Sequence, residues 1–293
     1  MVLIHAGTHK TGTTSLQMLF TRHRDDLRDH GILYPETGMW NNPSGIANHT
    51  NLAWELLGHE QFRSESGTID DLIEEVADAD CDRVLLSSEE FSCLFVHPDR
   101  IRQLKDRFEA AGLTAHIALT IRDVAEYANS LYVTLAAFGL DRSYADFAQC
   151  VATERQFTVR QNTYCFDYAR LESTFAAVFG DAAVTCVDYV PADAVGPFLE
   201  AFDWFFDGAL AGPDLDIRSN TTMSRVEELR SSVREGARTL SDLAAEISRL
   251  NAELDSVTRE RNRLGRALAA SQMRLSRRVE GKVRSVLSPR RLG

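Results

Sequence analysis

Apolar residues along the first 210 positions follow two different spacings. Short apolar runs predict strands at 2–6, 83–88, 114–121 and 183–189. Between these runs, apolar residues recur every three or four positions, which predicts helices. They are expected at 123–138, 144–153, 167–179 and 194–207, and around Leu16 to Leu27, Ile69 to Val76 and Ile101 to Phe108. Strands that alternate with helices predict an α/β fold, a three-layer parallel sheet with helices on both faces.

The stretch 31–68 interrupts this pattern with Pro35, Gly38, Pro43, Gly45 and Gly67. These residues favour turns, so the stretch is predicted to be mostly loop, with a short helix around Leu52 to Leu57. A loop of this length inside a compact domain is usually functional.

From Val226 onward the pattern becomes a heptad repeat of a and d positions. The a positions are Val226, Val233, Leu240, Ile247, Leu254, Arg261, Leu268 and Leu275; the d positions are Leu229, Gly236, Leu243, Leu250, Val257, Leu264 and Ser271. This spacing predicts a coiled-coil helix at 226–276 that forms a parallel homodimer. The chain is therefore expected to have three parts: a domain at 1–222, the coiled coil, and a basic tail at 277–293. The alternative is one amphipathic helix that packs against its own domain.

The formal net charge of -11 is unevenly distributed. Residues 1–225 hold 17 basic and 34 acidic residues (17 - 34 = -17), whereas residues 226–293 hold 15 and 9 (15 - 9 = +6). An acidic domain argues against nucleic acid as the main ligand, because phosphate binding draws on clustered Lys and Arg. The basic tail could contact an anionic surface.

Cysteine spacing and hydropathy indicate the compartment. The five cysteines are scattered and form no C-x-x-C pair, so neither a disulfide framework nor a zinc site is expected. No run of 18 apolar residues exists, and a strand begins too close to Met1 for a signal peptide to precede it. We therefore expect a cytoplasmic protein, with peripheral membrane contact through the tail as a further option.

The most specific motif is G-T-H-K-T-G-T-T-S, from Gly7 to Ser15, between the first strand and the first helix. A glycine-bearing turn at a helix N-terminus offers backbone N–H groups and a positive dipole end to a phosphate. Gly7 and Gly12 keep the Walker A interval, but residue 13 is Thr where Walker A has Lys, and the lysine stands at position 10. A purely structural turn could use the glycines but needs neither the lysine nor the hydroxyls. The sheet is therefore predicted to be P-loop-like.

At these residues the chain resembles sulfotransferases that use 3′-phosphoadenosine 5′-phosphosulfate (PAPS), whose loop reads K-x-G-T-T. The resemblance covers about 1–190 and extends to Arg122, which ends a strand, to Ser130 eight residues later, and to S-S-E-E-F-S at Ser87 to Ser92. The family's C-terminal closing motif is absent, and Arg218 is the candidate substitute. The resemblance implies a PAPS site without a metal, formed by Lys10, Thr11, Gly12, Thr13, Thr14, Ser15, Arg122, Ser130 and Arg218. Tyr168 or Phe166 could stack on adenine, although aromatic residues at helical spacing more often belong to a core.

Sulfuryl transfer builds negative charge on the leaving phosphate and needs a base for the acceptor. Lys10 is the candidate to stabilise that charge. Three residues compete as the base: Glu89, at the end of a strand; Glu36, in the loop after the first helix; and His49, in the long loop. Each has a structural alternative: a helix cap for Glu89, a solvated charge for Glu36 and local packing for His49.

These residues predict a sulfotransferase that acts on a hydroxyl or amine of a carbohydrate or a lipid headgroup. One alternative is a nucleotide or sugar kinase, which would need Mg²⁺ and a lysine at position 13. The other is a coiled-coil interaction protein whose domain binds nucleotide without turnover.

Overall fold

We describe residues 1–41 and 46–210 of a computed structural model of the chain. The strands are β1 Val2–His5, β2 Ile32–Leu33, β3 Trp40–Asn41, β4 Ala47–Asn48, β5 Arg83–Ser87, β6 Ala115–Ile121, β7 Gln156–Val159, β8 Asn162–Cys165 and β9 Val184–Asp188. The helices are α1 Thr13–Arg22, α2 Arg24–Asp29, α3 Thr50–Leu57, α4 Ile69–Asp78, α5 Pro98–Ala110, α6 Val124–Ala137, α7 Tyr144–Glu154, α8 Tyr168–Phe179, α9 Gly196–Ala201 and α10 Asp203–Phe206. Short 3₁₀ helices cover Ser64–Ser66, Glu89–Val96 and Asp181–Ala183.

Five strands form a parallel sheet in the order β2, β5, β1, β6, β9. Side chains alternate between its faces: Val2 and Ile4 enter one hydrophobic cluster and Leu3 enters the other. The Ile4 face is covered by α3, α4, α5 and α8, and the Leu3 face by α1, α2, α9 and α10. The three-layer α/β prediction is thereby confirmed.

The chain forms two compact units. The first comprises Met1–Tyr132 and, as far as the chain is described, residues 145–210; it contains all the strands given above. In the second, the described residues are 133–144, which continue α6 to its end and reach the start of α7. The predicted coiled coil at 226–276, the homodimer that it would form, the basic tail and Arg218 lie outside the described residues and stay predictions. No helix in the described parts of the chain is long and apolar enough to cross a membrane.

Two parts of the chain differ from the sequence expectation. The predicted loop 31–68 contains β2, which pairs with β5, and the β3–β4 ribbon, as well as the expected α3. Strands of two residues are too short to produce a period-two pattern, so the sequence did not reveal them. The β7–β8 hairpin was also not predicted, because its turn uses Arg160, at φ 54°, in place of the glycine that usually marks such turns.

Candidate functional site

The loop between β1 and α1 has an unusual backbone. Gly12, the residue before α1, has φ 77°, and a side chain there would lie 2.8 Å from the Tyr189 ring. A Cβ on Gly7 would lie 2.9 Å from Nε2 of His5. Lys10 has φ 66°, which is uncommon for a residue with a side chain. The sequence therefore needs glycine at 7 and 12, and Lys10 holds a conformation that its surroundings must stabilise.

Arg122 supplies that stabilisation. It follows β6, and its Nη1 donates to the carbonyl oxygen of Lys10 at 2.8 Å, while its Nη2 pairs with Glu126 at 2.6 Å. Its guanidinium lies over the Tyr189 ring, 5.2 Å from the centroid. The Thr8 amide donates to the Thr120 carbonyl at 2.8 Å and so holds the loop to β6 as well. Two residues 112 positions apart, which the sequence assigned to one site, are thus in contact.

The remaining loop hydroxyls divide into buried and exposed groups. Thr11, Thr13 and Ser15 are buried, and the Thr11 hydroxyl donates to the Thr8 carbonyl, whereas Thr14 is exposed at the start of α1. Ser130 is buried on α6, in the helix that follows Arg122. Asp123 accepts from the Glu126 amide at 2.9 Å and so caps the start of this helix.

The loop lies at the point where the strand order reverses. After β1 the chain builds β2 and β5 on one side, and it then crosses to β6 and β9 on the other. The β1 loop and Arg122 occupy the carboxyl ends of the two strands, β1 and β6, that flank this reversal. In open α/β sheets, ligands bind in the crevice at this position.

Glu89 stands next to the same edge, directly after β5. Gln17 of α1 donates to its carboxylate at 3.0 Å, and Asn48 of β4 contacts Oε1 of Gln17 at 3.4 Å. Glu89 itself is only partly buried. The sequence allowed Glu89 to be the cap of the helix that follows β5. The cap is instead Ser88, whose hydroxyl accepts from the Glu90 amide. Gln17 and Asn48 were not predicted as site residues, because nothing local in the sequence places either beside Glu89.

His49 is fully buried and both of its ring nitrogens are engaged with backbone. Nε2 donates to the Pro35 carbonyl at 3.1 Å, and Nδ1 accepts from the Ser87 amide at 3.1 Å. Burial lowers the pKa of His49 to about 4. A base that takes a proton from an acceptor needs a free lone pair, which this arrangement does not provide.

Glu36 lies after β2, at the edge strand of the sheet, and its side chain is 82% exposed. It pairs with Arg24 at 2.9 Å. The structure therefore does not bring Glu36 into contact with the β1 loop or with Glu89.

Three buried polar atoms without a hydrogen-bond partner belong to the β1 loop or to residues linked to it. They are His9 Nδ1, Arg122 Nε and Asn162 Oδ1. Arg122 contacts the Lys10 carbonyl, and Asn162 and His9 both contact Glu90. The Tyr168 hydroxyl interacts with the backbone of Arg122. Unpartnered buried polar groups are rare in native proteins, and a group of them is typical of a site that a polar ligand completes.

The two candidate adenine contacts differ. Phe166 is buried in an aromatic core with Tyr127 and Phe147, as the structural alternative predicted. Tyr168, the first residue of α8, is only partly buried, and its hydroxyl lies beside Arg122. Of the two, Tyr168 is the one at the edge of the site.

Comparison with known proteins gives a similarity in structure. No family model and no curated protein matches the chain. The chain is similar to a sulfotransferase from Alicyclobacillus acidocaldarius, whose crystal structure has 18% sequence identity and a TM-score of 0.41, with 88% of this chain and 98% of that chain covered. The function proposed below therefore rests on the residues of the site.

Proposed function

We propose that the protein is a sulfotransferase that moves a sulfuryl group from PAPS to a hydroxyl or amine of an acceptor. The observation that carries this proposal is the contact between Arg122 and the Lys10 carbonyl. It places a permanently charged guanidinium beside a loop that bears its own lysine and ends at a helix N-terminus. Two cations and a row of backbone N–H groups at one crevice suit a ligand with more than one phosphate.

The residues present fit such a co-substrate. Loop amides from Lys10 to Thr14, with the dipole of α1, would hold the 5′-phosphosulfate, and Arg122 and Ser130 the 3′-phosphate. The buried Nε of Arg122 has no partner within the protein, and it is a donor suited to a phosphate oxygen. Glycines at 7 and 12 let the loop pack closely against His5 and Tyr189, because a Cβ at either position would lie within 3 Å of one of these side chains. Tyr168 is the candidate at the adenine edge.

The chemistry assigns separate roles to Lys10 and Glu89. PAPS, when bound, supplies an activated sulfuryl group and a phosphate leaving group. Lys10 stabilises the negative charge that develops on the leaving oxygen. Glu89 accepts the proton that the acceptor hydroxyl or amine loses, while the Gln17 amide orients its carboxylate.

Glu89 is favoured over the other two candidate bases because of its exposure and its partners. It is partly exposed, lies at the carboxyl end of β5 and has a neighbour on α1. His49 has both nitrogens engaged, and Glu36 is solvated at the sheet edge. A carbohydrate or lipid hydroxyl is the proposed acceptor, since the Glu89 carboxylate would repel an anionic one.

A thermal-shift comparison of ligands tests the proposal. We expect adenosine 3′,5′-bisphosphate to raise the melting temperature and ATP·Mg²⁺ to raise it much less at equal concentration, because only a ligand that binds the folded state stabilises it. Transfer of labelled sulfate from PAPS to a panel of sugar hydroxyls then tests turnover. A larger shift with ATP·Mg²⁺ would favour the kinase alternative. Bisphosphate binding without transfer would favour the non-catalytic one.

A further inference from the structure

One ion pair links the sequence neighbours of the two proposed catalytic groups. His9 precedes Lys10, and Glu90 follows Glu89. Nε2 of His9 lies 3.3 Å from Oε1 of Glu90. The contact joins the β1 loop directly to the 3₁₀ helix Glu89–Val96 that begins at Glu89. None of the roles assigned above uses either residue.

The pair is largely buried and supported on several sides. The side chains of His9 and Glu90 are 16% and 13% exposed. Asn162, on the β7–β8 hairpin, contacts the same Glu90 oxygen at 3.3 Å, and the Tyr164 ring meets the His9 ring edge-on at 4.9 Å between centroids. Three separate segments, the β1 loop, the 3₁₀ helix and the hairpin, therefore meet at this contact.

Electrostatics favour the charged form of both partners. Burial opposes the charge on His9, but the hydrogen bond and the charge of Glu90 outweigh it, so the pKa of His9 is raised above 6.5. Burial likewise opposes the charge on Glu90, but the hydrogen bond and charge of His9 prevail and lower the pKa of Glu90. The charges of Glu89 and Lys10 also act on His9, which shows that both lie near it.

We propose that His9 and Glu90 are positioning residues whose ion pair sets the spacing between Lys10 and Glu89. This inference rests on the proposed function. Transfer between two oxygens requires the group that stabilises the leaving oxygen and the group that deprotonates the acceptor to be held at a fixed separation. A displacement of about 1 Å can cost about a hundredfold in rate. Because each catalytic residue is one peptide unit from a member of the pair, the backbone transmits this contact directly.

The pair should make turnover depend on pH in a defined window. It is intact above the lowered pKa of Glu90 and below the raised pKa of His9, and it is lost as the pH leaves this window at either end. The titratable groups near the pair are Glu89 and Lys10 on the His9 side, His59 and Cys93 on the Glu90 side, and Tyr164, which interacts with both. Replacing Glu90 removes the pair at every pH and leaves burial opposed mainly by the smaller effect of Glu89, so the pKa of His9 should fall and the alkaline limit set by the pair should disappear.

Steady-state kinetics of three variants test the spacing role. We expect His9→Gln and Glu90→Gln each to lower kcat by about tenfold to a hundredfold, with the KM for PAPS changed by less than about threefold. The double variant should lose about as much as either single variant, because residues that act through one contact are not additive. The alkaline limb of the kcat profile that comes from the pair should be absent in Glu90→Gln. His23→Gln, which removes the exposed pair of His23 with Asp26, is the matched control and should keep the wild-type kcat.

An NMR titration of the His9 ring, assigned from the signal absent in His9→Gln, measures the pair without any turnover. We expect a midpoint above 6.5 in the wild type and below 6.5 in Glu90→Gln. A wild-type midpoint below 6.5, additive losses in the double variant or an active His9→Gln with full kcat would each overturn the spacing role alone. A raised midpoint in a wild type that transfers no sulfuryl group from PAPS would instead refute the proposed function, and the spacing role with it.

Discussion

The two sides of the candidate site are constructed in different ways. The loop side, residues 7–15 with Arg122, is formed by backbone at the end of one strand and by one side chain from the next strand in the sheet. The carboxylate side, Glu89 with His49 and Glu36, collects residues from three segments of the chain. On the loop side the candidates follow two neighbouring strands, β1 and β6. On the carboxylate side, Glu89 is the one of the three candidate bases that has a partly exposed side chain next to these strand ends.

This difference explains what the sequence could predict. A phosphate-binding turn depends on residues within nine positions, so glycine spacing and a following helix identify it without tertiary information. A base is defined by its surroundings. The sequence could not show that the backbones of Ser87 and Pro35 occupy both nitrogens of His49, or that Gln17 of α1 reaches Glu89.

The fold shows the same limit. The four strands of the main sheet with clear apolar runs were predicted, together with the helices that cover them, because burial imposes a period on each. The edge strand β2 is held by pairing with Arg83 and Val84 of β5, a contact that leaves no local pattern. The expected helix 194–207 is two short helices, α9 and α10, separated at Phe202.

The largest expected effect concerns the carboxylate side. Glu89→Gln keeps the size of the side chain but removes its capacity to accept a proton. We expect kcat to fall by about 10²- to 10⁴-fold, as for loss of a general base, with bisphosphate binding unchanged. Glu109→Gln, on the outer surface of α5, is the control. A kcat within threefold of wild type would show that Glu89 is not the base. The choice of Glu89 over His49 would then be wrong.

The next effect belongs to the loop side. Lys10→Ala removes the charge proposed to stabilise the leaving phosphate, so we expect kcat to fall by about 10²- to 10³-fold. Nucleotide binding should be largely retained, since the backbone amides and Arg122 remain. Lys105→Ala, at a surface pair with Glu109, controls for loss of a lysine. An equal loss in binding and no loss in kcat would limit Lys10 to a binding role.

Arg122 should show a smaller effect, expressed in affinity. A charge-assisted hydrogen bond to phosphate contributes more than a neutral one, so Arg122→Ala should weaken adenosine 3′,5′-bisphosphate by about tenfold to a hundredfold more than adenosine 5′-phosphate. Both ligands should weaken somewhat, because Arg122 also supports the Lys10 carbonyl. Calorimetric titration of the two nucleotides measures the difference. Equal losses would mean that Arg122 only stabilises the loop.

The smallest effect on turnover should come from His49, whose replacement is expected to reduce stability instead. His49→Ala leaves the Ser87 amide and the Pro35 carbonyl buried without their partner, at a cost of about 1–3 kcal/mol for each unsatisfied group.

Because burial holds the pKa of His49 near 4, the folded protein keeps this ring neutral while the unfolded chain takes up a proton below about 6.5. The wild type therefore loses this contribution as the pH falls from 6.5 towards 4. Urea unfolding measures the free energy of unfolding of both proteins. The amount by which His49→Ala falls below the wild type should be largest near pH 8 and smaller near pH 4. His23→Ala, which removes a side-chain pair with Asp26, is the control. If His49→Ala instead folds with wild-type stability and loses kcat as Glu89→Gln does, the base is His49, and the carboxylate side must rearrange when substrate binds.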